Sequence, residues 1–215
     1  MQKVILFTGL MLLSFFSLAK TTEAGVGVSS LGAHIVFTNQ MNDQFAIRLQ
    51  LNGYSGNYEF KENGITYEGD LKLGTVGVTM DWHPWENDFF LTMGAFYNGN
   101  QLDAKAKSQN GTLTINGTSY TTDQIGNLES EMKFGDVSPY LGIGFMGPIG
   151  RSDFYYGVDL GVLYQGEPDV SLSTSSGSNI AGLSENLAAE QKRVEDELSS
   201  FRWYPVLTLS LHYAF

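Results

Sequence analysis

The sequence predicts an all-β protein folded as one antiparallel barrel. Three features carry that prediction: strict apolar/polar alternation in short segments, glycine on the polar side of those segments, and an apolar final strand ending in an aromatic residue. The 25 glycines and 13% aromatics in 215 residues suit such a fold. The absence of cysteine excludes a disulfide framework and any cysteine-based metal site.

Alternation is clearest from Val76 to Trp82, where Val76, Val78, Met80 and Trp82 share one face and Gly77, Thr79 and Asp81 the other. The same split recurs around Phe45 (Ile47, Leu49, Leu51 against Arg48, Gln50, Asn52) and around Leu91 (Met93, Ala95, Tyr97 against Thr92, Gly94, Phe96, Asn98). It recurs again around Leu141 (Ile143, Phe145 against Tyr140, Gly142, Gly144) and around Val158 (Leu160, Val162, Tyr164 against Gly157, Asp159, Gly161, Leu163, Gln165). A period of two alone does not say which face is inside, because a soluble barrel would bury the apolar one. The glycines decide it. Glycine on an exposed strand face weakens the strand, whereas in the cramped bore of a small barrel it makes room for larger neighbours. The apolar face therefore points to lipid, and the polar residues His34, Arg48, Gln50, Asp81, Asn98, Asp159, Ser210 and His212 line the lumen.

Residues 1–19 read as a cleavable export signal: Lys3, an apolar run from Val4 to Leu18, and small residues at Ser17-Leu18-Ala19. The run is too short for a helical membrane span. Cleavage after Ala19 is favoured over cleavage after Ala24, because the strand count needs the residues between; residues 20–215 then form one barrel domain. No later stretch approaches the roughly 18 consecutive apolar residues of a spanning helix, so membrane entry requires closure into a barrel, which alone satisfies every backbone group in lipid.

The chain's end holds Leu207, Leu209, Leu211, Tyr213 and Phe215 on the apolar face, with Thr208, Ser210 and His212 inward. This ending resembles the signal by which bacterial outer-membrane barrels are recognised for assembly. Loop lengths orient the barrel. Residues 39–43, 83–88 and 147–153 are short periplasmic turns. Residues 107–130 and 175–201 are long extracellular loops, and Glu62-Asn63-Gly64 is a further outer turn. An extra upward strand is then required, which only residues 20–30 can supply. The result is an eight-stranded antiparallel transmembrane β-barrel with short periplasmic turns, long extracellular loops and one short loop helix. Aromatics such as Trp82, Trp85, Phe145 and Tyr213 gather toward the short-turn end, and Tyr97, Tyr164 and Trp203 toward the other, as interfacial belts do. Within the loops, Asn116-Gly117 marks a hairpin between 112–115 and 118–121. Residues 184–200 carry Leu187, Val194, Leu198 and Phe201 at helical spacing, a stripe expected to pack over the barrel mouth.

The net charge of -11, without a basic patch, argues against nucleic acid. Acidic residues in presumed loops, among them Glu59, Glu68, Asp70, Glu129 and Glu131, read as a solvated rim or as a funnel for cations. In eight strands the bore is just wide enough for side chains to fill it, so a polar plug is the default, with Arg48 paired to Asp81 or Asp159. Ser210, His212 and an aspartate invite a catalytic-triad reading, but both residues point inward, away from acyl chains, so no catalytic residues are assigned. No phosphate loop, dinucleotide fingerprint or metal motif appears, and no cofactor or metal is expected.

Several strings together resemble the CarO-type bacterial outer-membrane proteins: Ile65-Thr66-Tyr67-Glu68-Gly69-Asp70, Asn116-Gly117-Thr118-Ser119-Tyr120, Ser138-Pro139-Tyr140-Leu141-Gly142-Ile143-Gly144-Phe145, Tyr164-Gln165-Gly166-Glu167-Pro168-Asp169 and Trp203-Tyr204-Pro205-Val206. The resemblance runs from about Gly53 to the end. It implies an outer-membrane location and, for a family linked to carbapenem susceptibility, passive uptake of ornithine and other small cationic solutes. The alternative is a non-conducting structural or adhesin-like barrel. The expected partners are outer-membrane lipid, the barrel-assembly machinery through the final strand, and small cationic solutes.

Overall fold

The computed structural model describes residues 21–62, 65–108, 111–177 and 179–215; the expected signal at 1–19 and the tip of the outer turn at 63–64 lie outside them. The strands are β1 (Thr21–Ser29), β2 (Gly32–Gln40), β3 (Phe45–Glu62), β4 (Ile65–Trp82), β5 (Phe89–Asn98), β6 (Gln101–Ser108), β7 (Thr112–Ile115), β8 (Thr118–Thr121), β9 (Leu128–Lys133), β10 (Val137–Pro148), β11 (Phe154–Tyr164), β12 (Asp169–Thr174) and β13 (Trp203–Ala214). A single helical turn, α1 (Thr122–Ile125), follows β8, and the longer α2 (Leu183–Glu197) with a 3-10 turn at Ser199–Arg202 precedes β13. Among the described residues no helix is long and apolar enough to cross a membrane.

Eight of these strands, β1 to β5 with β10, β11 and β13, close an antiparallel barrel. Closure is made by β1, where Gly27 stands opposite His34 of β2 on one side and Ser210 of β13 on the other. The poorly patterned first strand is therefore a full member of the barrel. Every lipid-side row read from the sequence faces outward: Val78 is 54% exposed, Leu141 64% and Leu209 49%. Such a continuous apolar exterior is out of place in water and fits hydrocarbon. Tyr164 and Trp203 pack at the outer end of the belt, and Phe154, Tyr213 and Phe215 at the inner end.

The long loops differ from the expectation. They begin earlier, leaving the barrel after Asn98 and after Tyr164, and much of what was read as loop is strand. β3 and β4 are each 18 residues long and continue past the barrel as a hairpin. Their upper halves join β6, β9 and β12 in a five-stranded sheet standing above the mouth, in the order β12-β9-β6-β4-β3. Backbone pairing is the reason: a strand running on alone would leave a row of N–H and C=O groups unpaired, and β6, β9 and β12 take them up in turn.

The predicted hairpin is present as β7 and β8. Asn116 (φ 47°) and Gly117 (φ 74°) both sit in the left-handed region that a two-residue turn of this hand requires. Leu113, Ile115, Tyr120, Ile125 and Leu183 form a small core against which Ile65, Ala106, Leu128 and Leu187 pack. Here the expectation for the helix is corrected. Leu187 packs into this core, and the Glu195 carboxylate accepts the Val170 N–H of β12 at 3.3 Å, so α2 lies on the sheet above the mouth rather than over the bore. Leu187, early in the stripe, found a nearer apolar surface, while Phe201 at its end lines a crevice with Ser30 and Tyr204 at the barrel mouth.

Candidate functional site

The bore is filled in two layers. Toward the short-turn end lies a charged layer centred on Arg48, which is 4% exposed. Its Nε lies 2.7 Å from Asp81 Oδ2, its Nη1 donates to Asp159 Oδ1 at 2.9 Å, and its Nη2 donates to Thr92 Oγ1 at 3.2 Å. The guanidinium carbon also sits 4.9 Å from the centroid of the Phe90 ring. The alternative posed by the sequence, Asp81 or Asp159, resolves to both. Alternation places the three charges inward from three different strands, and only barrel closure brings β11 across the bore from β3.

Gln50 Nε2 donates to Asn52 Oδ1 at 2.7 Å, and Asn52 Nδ2 to Thr75 Oγ1 at 2.8 Å, forming a hydrogen-bonded row along the β3–β4 wall. On the opposite wall, Ser210 Oγ lies 2.8 Å from His212 Nε2, and His212 Nδ1 lies 3.8 Å from Glu23 Oε2. This is a serine–histidine–carboxylate row, but the carboxylate is Glu23, not an aspartate. Ser210 is turned into the bore, on the far side of the barrel wall from any acyl chain, and a nucleophile acts only within about 3–3.5 Å of its target. His34 is buried beside Gly27, where any side chain would strike its ring.

Asn98 stands apart from this cluster. Its Nδ2 donates to Ser138 Oγ at 3.3 Å and lies 3.4 Å from Gln165 Oε1, and its Oδ1 accepts the Asn100 N–H at 3.1 Å. It ties together the outer rim of the barrel.

Between that rim and the charged layer is a second layer that the sequence reading did not identify. Leu31, Phe96, Tyr140, Leu163 and Val206 pack together across the bore, Leu31 and Leu163 with no exposure at all. Phe96 and Tyr140 meet edge to face at 5.4 Å between ring centres. Leu31 comes from the outer turn between β1 and β2, its N–H held by Ser29 Oγ at 3.1 Å. Phe96 and Leu163 alternate onto the inward face, which was the available signal. That five apolar residues from separate segments meet at one level is a property of the closed barrel. Glu23 and Phe90 were also missed, and Thr92, read as inward-facing, was not named among the lumen residues; Glu23 shares parity with Gly25 and Gly27 on the weakly patterned β1.

The acidic residues are not arranged as loops around the mouth. Glu68, Asp70, Glu129 and Glu131 lie on strands, on the outer face of the five-stranded sheet, interleaved with lysines. Lys107 pairs with Glu68 at 2.5 Å, Lys105 with Glu129 at 2.7 Å, Lys133 with Glu131 at 2.8 Å and Lys72 with Asp103 at 3.0 Å. Hydrogen bonding from Gln101, reinforced by Lys72, holds the Asp103 carboxyl below its usual range. The face turned toward the barrel axis carries Tyr54, Tyr58, Phe60, Tyr67, Leu71 and Leu73 instead.

No family model matches the chain, and no curated protein matches it. Among solved structures, the crystal structure of Acinetobacter baumannii CarO2 matches with a TM-score of 0.63 at 21% identity, covering 91% of this chain and 98% of that one. The crystal structure of Acinetobacter baumannii CarO matches with a TM-score of 0.61 at 22% identity, covering 93% of this chain and 99% of that one. At these identities the likeness is one of architecture: the chain is an eight-stranded barrel of the CarO fold.

Proposed function

We propose that this chain is a bacterial outer-membrane barrel with a sealed bore, whose working part is the extracellular sheet: a surface-interaction barrel rather than a channel. The observation that carries this reading is the stacking of two closed layers, the apolar one at Leu31, Phe96, Tyr140, Leu163 and Val206 over the charged one at Arg48, Asp81 and Asp159. A cation crossing the bore would have to part an ion-paired guanidinium and then enter a layer whose one polar side-chain atom is the Tyr140 hydroxyl, and burying an unpaired charge costs several kcal/mol or more. Glu68, Glu129 and Glu131, facing away from the axis and each paired with a lysine, do not form a funnel into the mouth.

In this reading the protein is exported by removal of 1–19, which keeps β1 whole. The assembly machinery engages it through Leu207, Leu209, Leu211, Tyr213 and Phe215, which face lipid on the last strand. Passive uptake of ornithine and other small cationic solutes, the activity the family resemblance implies, is the rival. Single-channel recording and liposome swelling with purified protein separate the two. Ornithine or lysine flux indistinguishable from an empty membrane is expected; flux above it overturns the sealed-barrel reading.

A further inference from the structure

The extracellular sheet has two edges, and they are finished differently. At the β12 edge, the Glu195 carboxylate from α2 accepts the Val170 N–H, and the helix lies alongside. The other edge is the upper half of β3. Below Gly53, β3 pairs with both β2 and β4; above it, only with β4. Odd-numbered β3 residues bond toward β2 in the barrel, so Ser55, Asn57, Glu59 and Lys61 direct their main-chain groups away from β4. Among the described residues nothing pairs with them.

The same edge carries an aromatic row on its axis-facing side. Tyr58 is 53% exposed and Phe60 57%. At its lower end it opens onto a crevice of about 420 Å³ lined by Tyr54, Leu73, Leu102, Met132, Phe201 and Tyr204, with no charged side chain in its walls. Alternate free N–H and C=O groups are satisfied in register only by another extended backbone, and an apolar crevice beside them takes one side chain of that backbone.

We propose that the free edge of β3 above the barrel binds an extended segment of another polypeptide as an added strand, with one bulky apolar side chain seated in the crevice. This rests on the surface-interaction reading and names its partner. A second copy in the same bilayer fits less well. Two upright barrels present β3 edges running the same way, and a two-fold axis along the bilayer normal turns their aromatic rows to opposite sides, so the paired edges share no apolar contact.

The test uses the full barrel in lipid nanodiscs and a fluorescein-labelled nine-residue peptide alternating threonine and valine with one phenylalanine near an end. Saturable anisotropy is expected, together with slowed amide exchange confined to the edge at 55–61. N-methylation of alternate peptide amides, or Asn57→Pro in the protein, should weaken binding at least tenfold. Leu102→Trp, which fills the crevice, should remove the preference for phenylalanine over alanine in the peptide while backbone-dependent binding persists. Resistance of each variant to unfolding in SDS at room temperature reports that the barrel is intact. No saturable binding, equal binding of the N-methylated peptide, unchanged exchange at the edge, or a dimer that already protects the edge would each overturn the proposal. Conductance of the same samples reports separately on the sealed bore, so the two readings fail independently.

Discussion

The two halves of β4 follow one alternation and reverse its meaning. From Thr75 to Trp82 the apolar residues Val76, Val78 and Met80 face out while Thr79 and Asp81 face in; from Ile65 to Leu73 the charged Glu68, Asp70 and Lys72 face out while Tyr67, Leu71 and Leu73 face in. β3 reverses in the same way, with Leu49 and Leu51 out below and Asn57, Glu59 and Lys61 out above. The two reversals meet at Gly53 and Gly74, which pair with each other. The register does not slip there, so what changes is the surrounding solvent. The sign of an alternating pattern reports whether lipid or water lies outside, and the glycine pair marks where one gives way to the other.

The largest test of this contrast removes the one cation of the inner layer. Arg48→Met leaves Asp81 and Asp159 buried and unpaired and should cost about 3–5 kcal/mol, read as the urea unfolding midpoint in lipid. Asp159→Asn should cost less, because Asp81 still partners Arg48. An Arg48→Met barrel as stable as the parent would mean that the charged layer is not a closed ion pair. A charge placed on the outer face should then divide the strand: Val78→Arg should cost about 2–4 kcal/mol at bilayer depth, whereas Asp70→Arg should change stability by no more than about 0.5 kcal/mol. Equal effects would place both residues in the same solvent.

Glycine sharpens the comparison at smaller scale. A methyl on Gly77 would lie 2.2 Å from the Phe96 ring, while one on Gly74 meets nothing within 4 Å. Gly77→Ala should therefore cost about 1–3 kcal/mol by overpacking and Gly74→Ala should be nearly neutral.

The smallest effect is in the extracellular ladder. Asp103, with its carboxyl held low by Gln101 and Lys72, contributes stability that is present above the ordinary carboxylate range and lost as pH falls through its depressed pKa. Lys72→Met should move the NMR titration midpoint of Asp103 back up; an unmoved midpoint would show that the pair does not form in solution.

Much of the barrel was legible because lipid imposes its rule residue by residue: every strand must present apolar side chains to the same medium, and Val76 to Trp82 states this locally. The extracellular strands were less legible for a related reason. β6 and β9 alternate too, with Leu102, Ala104 and Ala106 against Asp103, Lys105 and Lys107, and Leu128 and Met132 against Glu129 and Glu131. Their charged faces, read beside a transmembrane barrel, look like loop, and nothing local says that an overlong β3–β4 hairpin needs partners.

The sequence by itself determined the period, the face given to lipid, the number of barrel strands and the inward direction of Arg48, Asp81 and Asp159, because alternation within each strand sets the two faces, the glycine rows mark the crowded inner one, and the order of short and long connections sets the strand count. Only the tertiary structure decided that Arg48 meets both aspartates, that Leu31, Phe96, Tyr140, Leu163 and Val206 share one level, and that β3 ends with an open edge. Those depend on which residues of different strands lie side by side once the barrel closes, and the registers of distant strands are set together by closure and by competition for backbone partners, not by any one segment.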